Sequence, residues 1–346
     1  MTSNEDDPPI PVIVLTGFLG SGKTTLLRHI LHHPGFSDCA VLINEFGDVG
    51  LDHLLVGALD QEPVLLGSGC ICCTIRGDLS RAIRDLHARR QRGEIPRFRR
   101  LIVETTGLAD PAPILQTILA DIMIRHHFRI GLVIATIDAV HAEAGFKTRS
   151  EMLRQVAMSD RLVITKTDLA DAGSILRLRH RLFELNPQAM VFEAVQGALD
   201  PDLLLVEDGS RPQIPPAGKR RWMAESVPAH NIDDALHGAI RSFSLSADEP
   251  VPWSAFGLWF SLLVHRHGLR LLRVKGLLNI IGSETPVAIH AVQHVIHAPE
   301  HLPGWPSEDR RSCIVFIVEG LESEIVDRSF RSFMRLGRRL LPTPLQ

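Results

Sequence analysis

Residues 17–24 read GFLGSGKT and fit the pattern G-x-x-x-x-G-K-[ST]. Glycines at 17, 20 and 22 let successive backbone N–H groups, with that of Ser21, turn inward toward phosphate oxygens, and a following helix adds its positive end. Lys23 would neutralise the β- and γ-phosphates, and the Thr24 hydroxyl would ligate Mg²⁺. Further along, the apolar run LIVE ends in Glu104, followed by Thr-Thr-Gly107. A carboxylate at such a strand end supports the Mg²⁺ shell, and a nearby glycine N–H meets the γ-phosphate. Thr165-Lys166-Thr167-Asp168 follows the apolar run RLVI. Asp168 can accept hydrogen bonds from N1–H and the 2-amino group of guanine, while the stem of Lys166 covers the ring.

A second chemical cluster lies between these segments. Residues 67–74, GSGCICCT, hold Cys70, Cys72 and Cys73, three of the five cysteines. Three thiolates can fill three corners of a tetrahedral zinc site at about 2.3 Å, and cobalt(II) or copper(I) would also accept them. The pattern predicts a turn here and a helix over 76–90, whose N-terminal end would lower the thiol pKa values. A metal site is the first reading, an oxidation-sensitive switch the second, and inert buried thiols the third. Cys39 and Cys313 sit in apolar runs and read as core. Among 17 histidines, His290 and His294 share one face of a strand predicted over 287–297, yet an exposed position explains them more simply. His126 and His127 fall at a helix end, where a charged imidazole is favoured.

The elements that must position these residues alternate. Strands are predicted over 11–16, 40–43, 63–66, 100–104, 130–137, 161–165 and 190–194, with helices over 76–90, 111–120, 149–158 and 172–185. Such alternation means an α/β fold with a mainly parallel, helix-covered sheet. The pattern collapses into Pro, Gly and charge over 207–231, which reads as a linker between a domain at 11–206 and another at 232–346. The second domain has strands over 240–245, 271–280, 287–297 and 312–319, with helices over 253–267 and 322–338, a smaller α+β unit.

Composition narrows the class. The chain has 346 residues, 45% hydrophobic and 22% charged, with a formal net charge of −3, which gives no electrostatic reason for nucleic acid as a partner. The acidic, proline-rich residues 1–10 read as a disordered tail and not as a signal peptide, and no apolar run reaches membrane-spanning length. An odd, clustered set of cysteines points to cytoplasmic residence, away from membranes.

The combination of TGFLGSGKTTLLRHIL, INEFGDVGLDHLL, GCICC, ETTGLADPAPI, QVAMSDRLVITKTDL and LLRVKGLLN with VQHV resembles the CobW-type metallochaperone GTPases, from about Pro11 to Phe333. The resemblance implies a P-loop GTPase domain, a CobW-type C-terminal domain, GTP hydrolysis and binding of zinc or cobalt. It makes Gly17 to Thr25 the phosphate loop, Glu45 to Asp48 the first switch, Glu104 to Gly107 the second, and Cys70, Cys72 and Cys73 the metal motif. Asp48 and Glu45 are the nearest candidates for a fourth metal ligand. Three positions depart from the family pattern. Thr165 stands where Asn is usual, Asp48 where Glu is usual, and the linker carries only His230 instead of a His-rich loop. The expected activity is slow GTP hydrolysis coupled to metal transfer to a client metalloprotein, with a client or a second copy completing the site. A metal sensor with structural nucleotide, or a P-loop small-molecule kinase, are the alternatives.

Overall fold

A computed structural model describes residues 8–44, 64–65, 71–75, 78–205 and 240–340. The chain divides into two compact units, each described by itself.

The first unit carries β1 (Ile10–Gly17), α1 (Lys23–Leu31), β2 (Cys39–Asn44), β3 (Val64–Leu65), β4 (Ile71–Ile75), α2 (Leu79–Arg92) and β5 (Arg100–Thr105). It continues through α3 (Pro111–Ala120), α4 (Ile122–His127), β6 (Phe128–Asp138), α5 (Ala142–Phe146) and α6 (Ser150–Met158). Last come β7 (Arg161–Thr165), α7 (Ala172–Leu185), β8 (Met190–Ala194) and α8 (Asp202–Leu205). The strands form one sheet in the order β3-β4-β2-β5-β1-β6-β7-β8, parallel throughout except for the β3–β4 pair. Strands β1, β5 and β7 are buried along nearly their whole length, which explains their continuous Val, Ile and Leu content. On one face α1 lays Leu26, Leu27, Ile30 and Leu31 over Ile13, Leu15, Val41, Ile102 and Val163. On the sheet, α6 packs at β1 and β6, and α3 packs at β6.

Strand β1 lies between β5 and β6, so the chain order reverses there, the place where open α/β sheets hold ligands at their strand C-termini. Register levels the functional ends: Leu15 faces Glu104, Gly17 faces Thr136, and Asp138 faces Thr165.

The second unit is an antiparallel sheet of β9 (Ile240–Ala247), β10 (Leu271–Leu278), β11 (Val287–Val292), β12 (Val295–Ile296), β13 (Glu300–His301) and β14 (Ser312–Glu319). Helices α9 (Trp253–His267) and α10 (Ser323–Arg339) contribute Phe256, Trp259, Phe260 and Phe330 to its core, with Phe316 from β14. Trp259 is buried and donates its indole N–H to Ser329 Oγ at 3.0 Å.

Three sequence expectations change. Residues 71–75 form a strand beside β2, and the helix after them starts at Leu79, where Asp78 caps it by accepting from the Ser80 and Arg81 N–H groups. The strand expected over 287–297 is a hairpin, turned at Gln293 with φ 49°, so His294 lies outside the strand that carries His290. His127 is not a favoured cation: burial first, then His126 and Arg90, lower its pKa.

Candidate nucleotide site

The loop leaving β1 is built for close approach. Gly17 has φ 139°, and a Cβ there would collide with the Thr136 hydroxyl and carbonyl, so only glycine lets the loop cross β6. Gly20 and Gly22 also have positive φ, and Gly22 caps α1 without any side-chain hydrogen bond. The first-turn N–H groups of α1 therefore keep the geometry that suits an anion. Lys23 is buried and its Nζ donates to the Gly17 carbonyl at 2.8 Å and the Phe18 carbonyl at 3.1 Å, folding the ammonium back over the loop. Thr24 Oγ1 donates to Glu104 Oε1 at 2.8 Å, and Glu104 is only 5% exposed. Two hard oxygens at the end of adjacent elements, next to a lysine, are a donor set that fits Mg²⁺. Thr25 is exposed on the next helical position.

Hydroxyl groups pin the loop to β6 and β7 and join β5 to β1 beneath it. Ser21 Oγ and Thr136 Oγ1 share a 2.6 Å hydrogen bond, and Thr105 Oγ1 donates to Thr16 Oγ1 at 3.0 Å. Thr165 Oγ1 faces the Ser21 carbonyl at 2.8 Å and the Ile137 carbonyl at 3.2 Å, and the residue is buried. The hydroxyl that stands where the family pattern has an amide is thus directed at the loop.

Beside it, Lys166 adopts φ 56° and donates from Nζ to Asp138 Oδ2 at 2.7 Å. The same carboxylate accepts from the Val140 N–H at 2.8 Å and lies 3.0 Å from His141 Nδ1. Burial pushes the Asp138 pKa up, but the hydrogen bonds from Lys166, His141 and Val140 outweigh it, and the net shift is downward. Asp168 is exposed in a short 3-10 turn, Thr167–Leu169, clear of this network. A cavity of about 420 Å³ adjoins the loop, lined by Phe18, Ser21, Asp138, Arg149, Met152 and Lys166 among others.

The segment after β5 returns to the loop. A Cβ on Gly107 would lie 2.5 Å from the Leu19 backbone nitrogen, so the glycine makes that contact possible. From α6, Gln155 Nε2 donates to the Gly107 carbonyl at 3.2 Å and the Ala109 carbonyl at 3.1 Å, and Arg154 Nη1 donates to Asp110 Oδ2 at 2.9 Å. Asp110 in turn caps α3, ahead of Pro111 at its first position. Thr136, Asp138, His141 and Gln155 carry no motif of their own, and only strand register and helix packing bring them to the site.

Glu45, Asp48 and Cys70 lie outside the described residues. Cys72 and Cys73 are fixed by backbone register, opposite Val41 and Leu42 of β2. Their place within a strand, with the next helix starting at Leu79 and capped by Asp78, removes the helix-end argument for lowered thiol pKa values. Among the described residues no three His, Cys, Asp or Glu side chains come together to hold a metal ion. Cys39 is buried as expected of a core position, whereas Cys313 is only partly buried, although burial still raises the pKa of its thiol.

The parallel sheet, the glycine loop and the Thr24–Glu104 pair together define a P-loop nucleotide-binding domain. Residues 11–193 match the CobW/HypB/UreG nucleotide-binding domain family, and residues 240–334 match the cobalamin synthesis protein cobW C-terminal domain. The chain belongs to the CobW family of P-loop proteins. It is 35% identical over 322 residues to the zinc chaperone YjiA of Escherichia coli, covering 93% of this chain and 98% of that one. It is also 36% identical over 199 residues to the zinc-regulated GTPase metalloprotein activator 1 of Schizosaccharomyces pombe, covering 56% of this chain and 47% of that one. The crystal structure of Zn(II)-bound YjiA GTPase from E. coli superposes with a TM-score of 0.72 at 32% identity, over 94% of this chain and 99% of that one. A Zn(II)-bound triple mutant of YjiA, with a glutamate and two adjacent cysteines changed to alanine, matches with a TM-score of 0.73 at 31% identity.

Proposed function

We propose that this chain is a GTP-hydrolysing metallochaperone that holds a zinc ion at Cys70, Cys72 and Cys73 and passes it to a client metalloprotein according to nucleotide state. The observation that carries the reading is the phosphate loop at the sheet's switch point, with buried Lys23 folded over it and Thr24 joined to Glu104. Thr24, with Glu104 behind it, would hold Mg²⁺, which supplies charge neutralisation on the β- and γ-phosphates when bound. Lys23 would exchange its two carbonyl partners for phosphate oxygens, and Gly107 would offer its N–H to the γ-phosphate. Asp168 would read guanine, Lys166 would cover its ring, and Thr165 would brace the loop beneath.

Zinc is the cargo favoured by the names of the relatives, two of which are a zinc chaperone and a zinc-regulated GTPase activator. Cobalt(II) suits the same thiolates. Because the YjiA variant lacking two cysteines is itself zinc-bound, total zinc does not isolate one site, and the affinity of the tightest equivalent is the quantity to follow. The coupling arises because the cysteine motif lies in sequence between the two switches. The test is multiple-turnover GTP hydrolysis with and without zinc. Lys23→Ala should lower turnover by on the order of 100-fold, as loss of one transition-state charge does. Changing Cys70, Cys72 and Cys73 to Ser should abolish the tightest zinc equivalent and leave GDP binding intact. Hydrolysis indifferent to Lys23 would overturn the reading.

A further inference from the structure

Helix α6 touches both the phosphate loop and the segment after β5 at the candidate nucleotide site. At its start the Arg149 guanidinium stands 5.8 Å from the Phe18 ring centre on the phosphate loop. Along its length, Gln155 is 1% exposed, and Nε2 gives both of its protons to the carbonyls of Gly107 and Ala109. With two carbonyl oxygens facing it, that end of the side chain must be the NH₂ group. One residue earlier, Arg154 holds the carboxylate that caps α3. The stretch from Gly107 to Asp110 is therefore tied to α6 at three points, while Gly107 itself lies against Leu19.

We propose that Gln155 is a positioning residue for the second switch, a latch that holds the Gly107 N–H where a γ-phosphate is met. The inference rests on reading this site as a guanine-nucleotide site. Gln155 touches no reacting atom and acts through the Gly107 and Ala109 carbonyls. If the switch moves off the loop, both carbonyls leave the amide together, so the latch favours a single position of the segment. GDP has no γ-phosphate to meet Gly107, so the latch adds affinity for GTP alone. A buried glutamine that merely satisfied the core would affect both nucleotides equally.

The experiment measures binding of GDP and of a non-hydrolysable GTP analogue to the full chain and to Gln155→Leu, with hydrogen exchange of the nucleotide-free proteins. The latch predicts that the analogue binds Gln155→Leu at least roughly tenfold more weakly, because two hydrogen bonds to the segment are lost, with GDP affinity unchanged. Turnover should fall by a similar factor, and exchange should rise at residues 107–110 but not in β1 or β6. Equal losses for both nucleotides, or no loss for either, would overturn it. Should Gln155→Leu not fold, Arg154→Ala, a change at a half-exposed position, must show the same GTP-selective loss or the proposal falls. If the unaltered protein binds neither nucleotide, the guanine-nucleotide reading itself fails, and unchanged exchange at residues 107–110 then overturns the latch as well.

Discussion

Lys166 holds a left-handed backbone conformation, φ 56°, which costs a residue with a Cβ roughly 1–2 kcal/mol. Its ion pair with the buried Asp138 carboxylate offsets that strain and fixes where the stem can lie. Asp138→Ala should therefore weaken GTP and GDP about tenfold each, since a charge-assisted hydrogen bond of that order is lost. Inorganic tripolyphosphate, which has no base to cover, should bind as before; titration of all three ligands checks this, and an equal loss for tripolyphosphate would refute it. At this scale the phosphate loop was legible because its chemistry runs through consecutive residues. Asp138 and Gln155 were not, since each meets its partner only through the β6–β7 register or the packing of α6. Thr165 was legible as a position but not as a direction: the sequence could not tell that its hydroxyl points down to Ser21.

The elements followed hydrophobic period where a run was long. α3, α7 and β8 fall where the pattern put them, while α4, a single short helix of IMIRHH, has too few turns to show a period. β4 was missed because ICCTI is short and carries two cysteines in five residues, so ladder pairing with β2 and not composition decides it. The packing of α2 against α4 brings two histidines together. The rings of His87 and His127 stack with centres 4.1 Å apart, and burial, then His127 and Arg90, lower the His87 pKa to about 4. An unfolded histidine titrates near 6.5, so the unfolded chain binds the extra proton first as pH falls. The full contribution is present above about pH 6.5 and is lost as pH falls toward 4. Chemical unfolding at several pH values should show that decline, and His87→Phe should flatten it. An unchanged slope in the variant would show that another group sets the pH dependence.

Over the whole molecule, the first unit gathers its chemistry at the one point where strand order reverses, and the cysteine motif enters the same sheet through β4. Strand order was not legible, because alternation predicts a parallel sheet without saying which strands are neighbours. Length and composition did indicate two units, and the second is an antiparallel sheet with its own aromatic core. In the proposed coupling, nucleotide state and metal affinity bias one element, and their effects on each other are reciprocal. It is tested most directly by competition titration of zinc against a chelator of known affinity, with the protein held in GDP or in a non-hydrolysable GTP analogue. Coupling of this kind should change the affinity of the tightest zinc equivalent by about 5- to 150-fold between the two states, and the difference should vanish when Cys70, Cys72 and Cys73 are changed to Ser. Identical zinc affinity in both nucleotide states would contradict it.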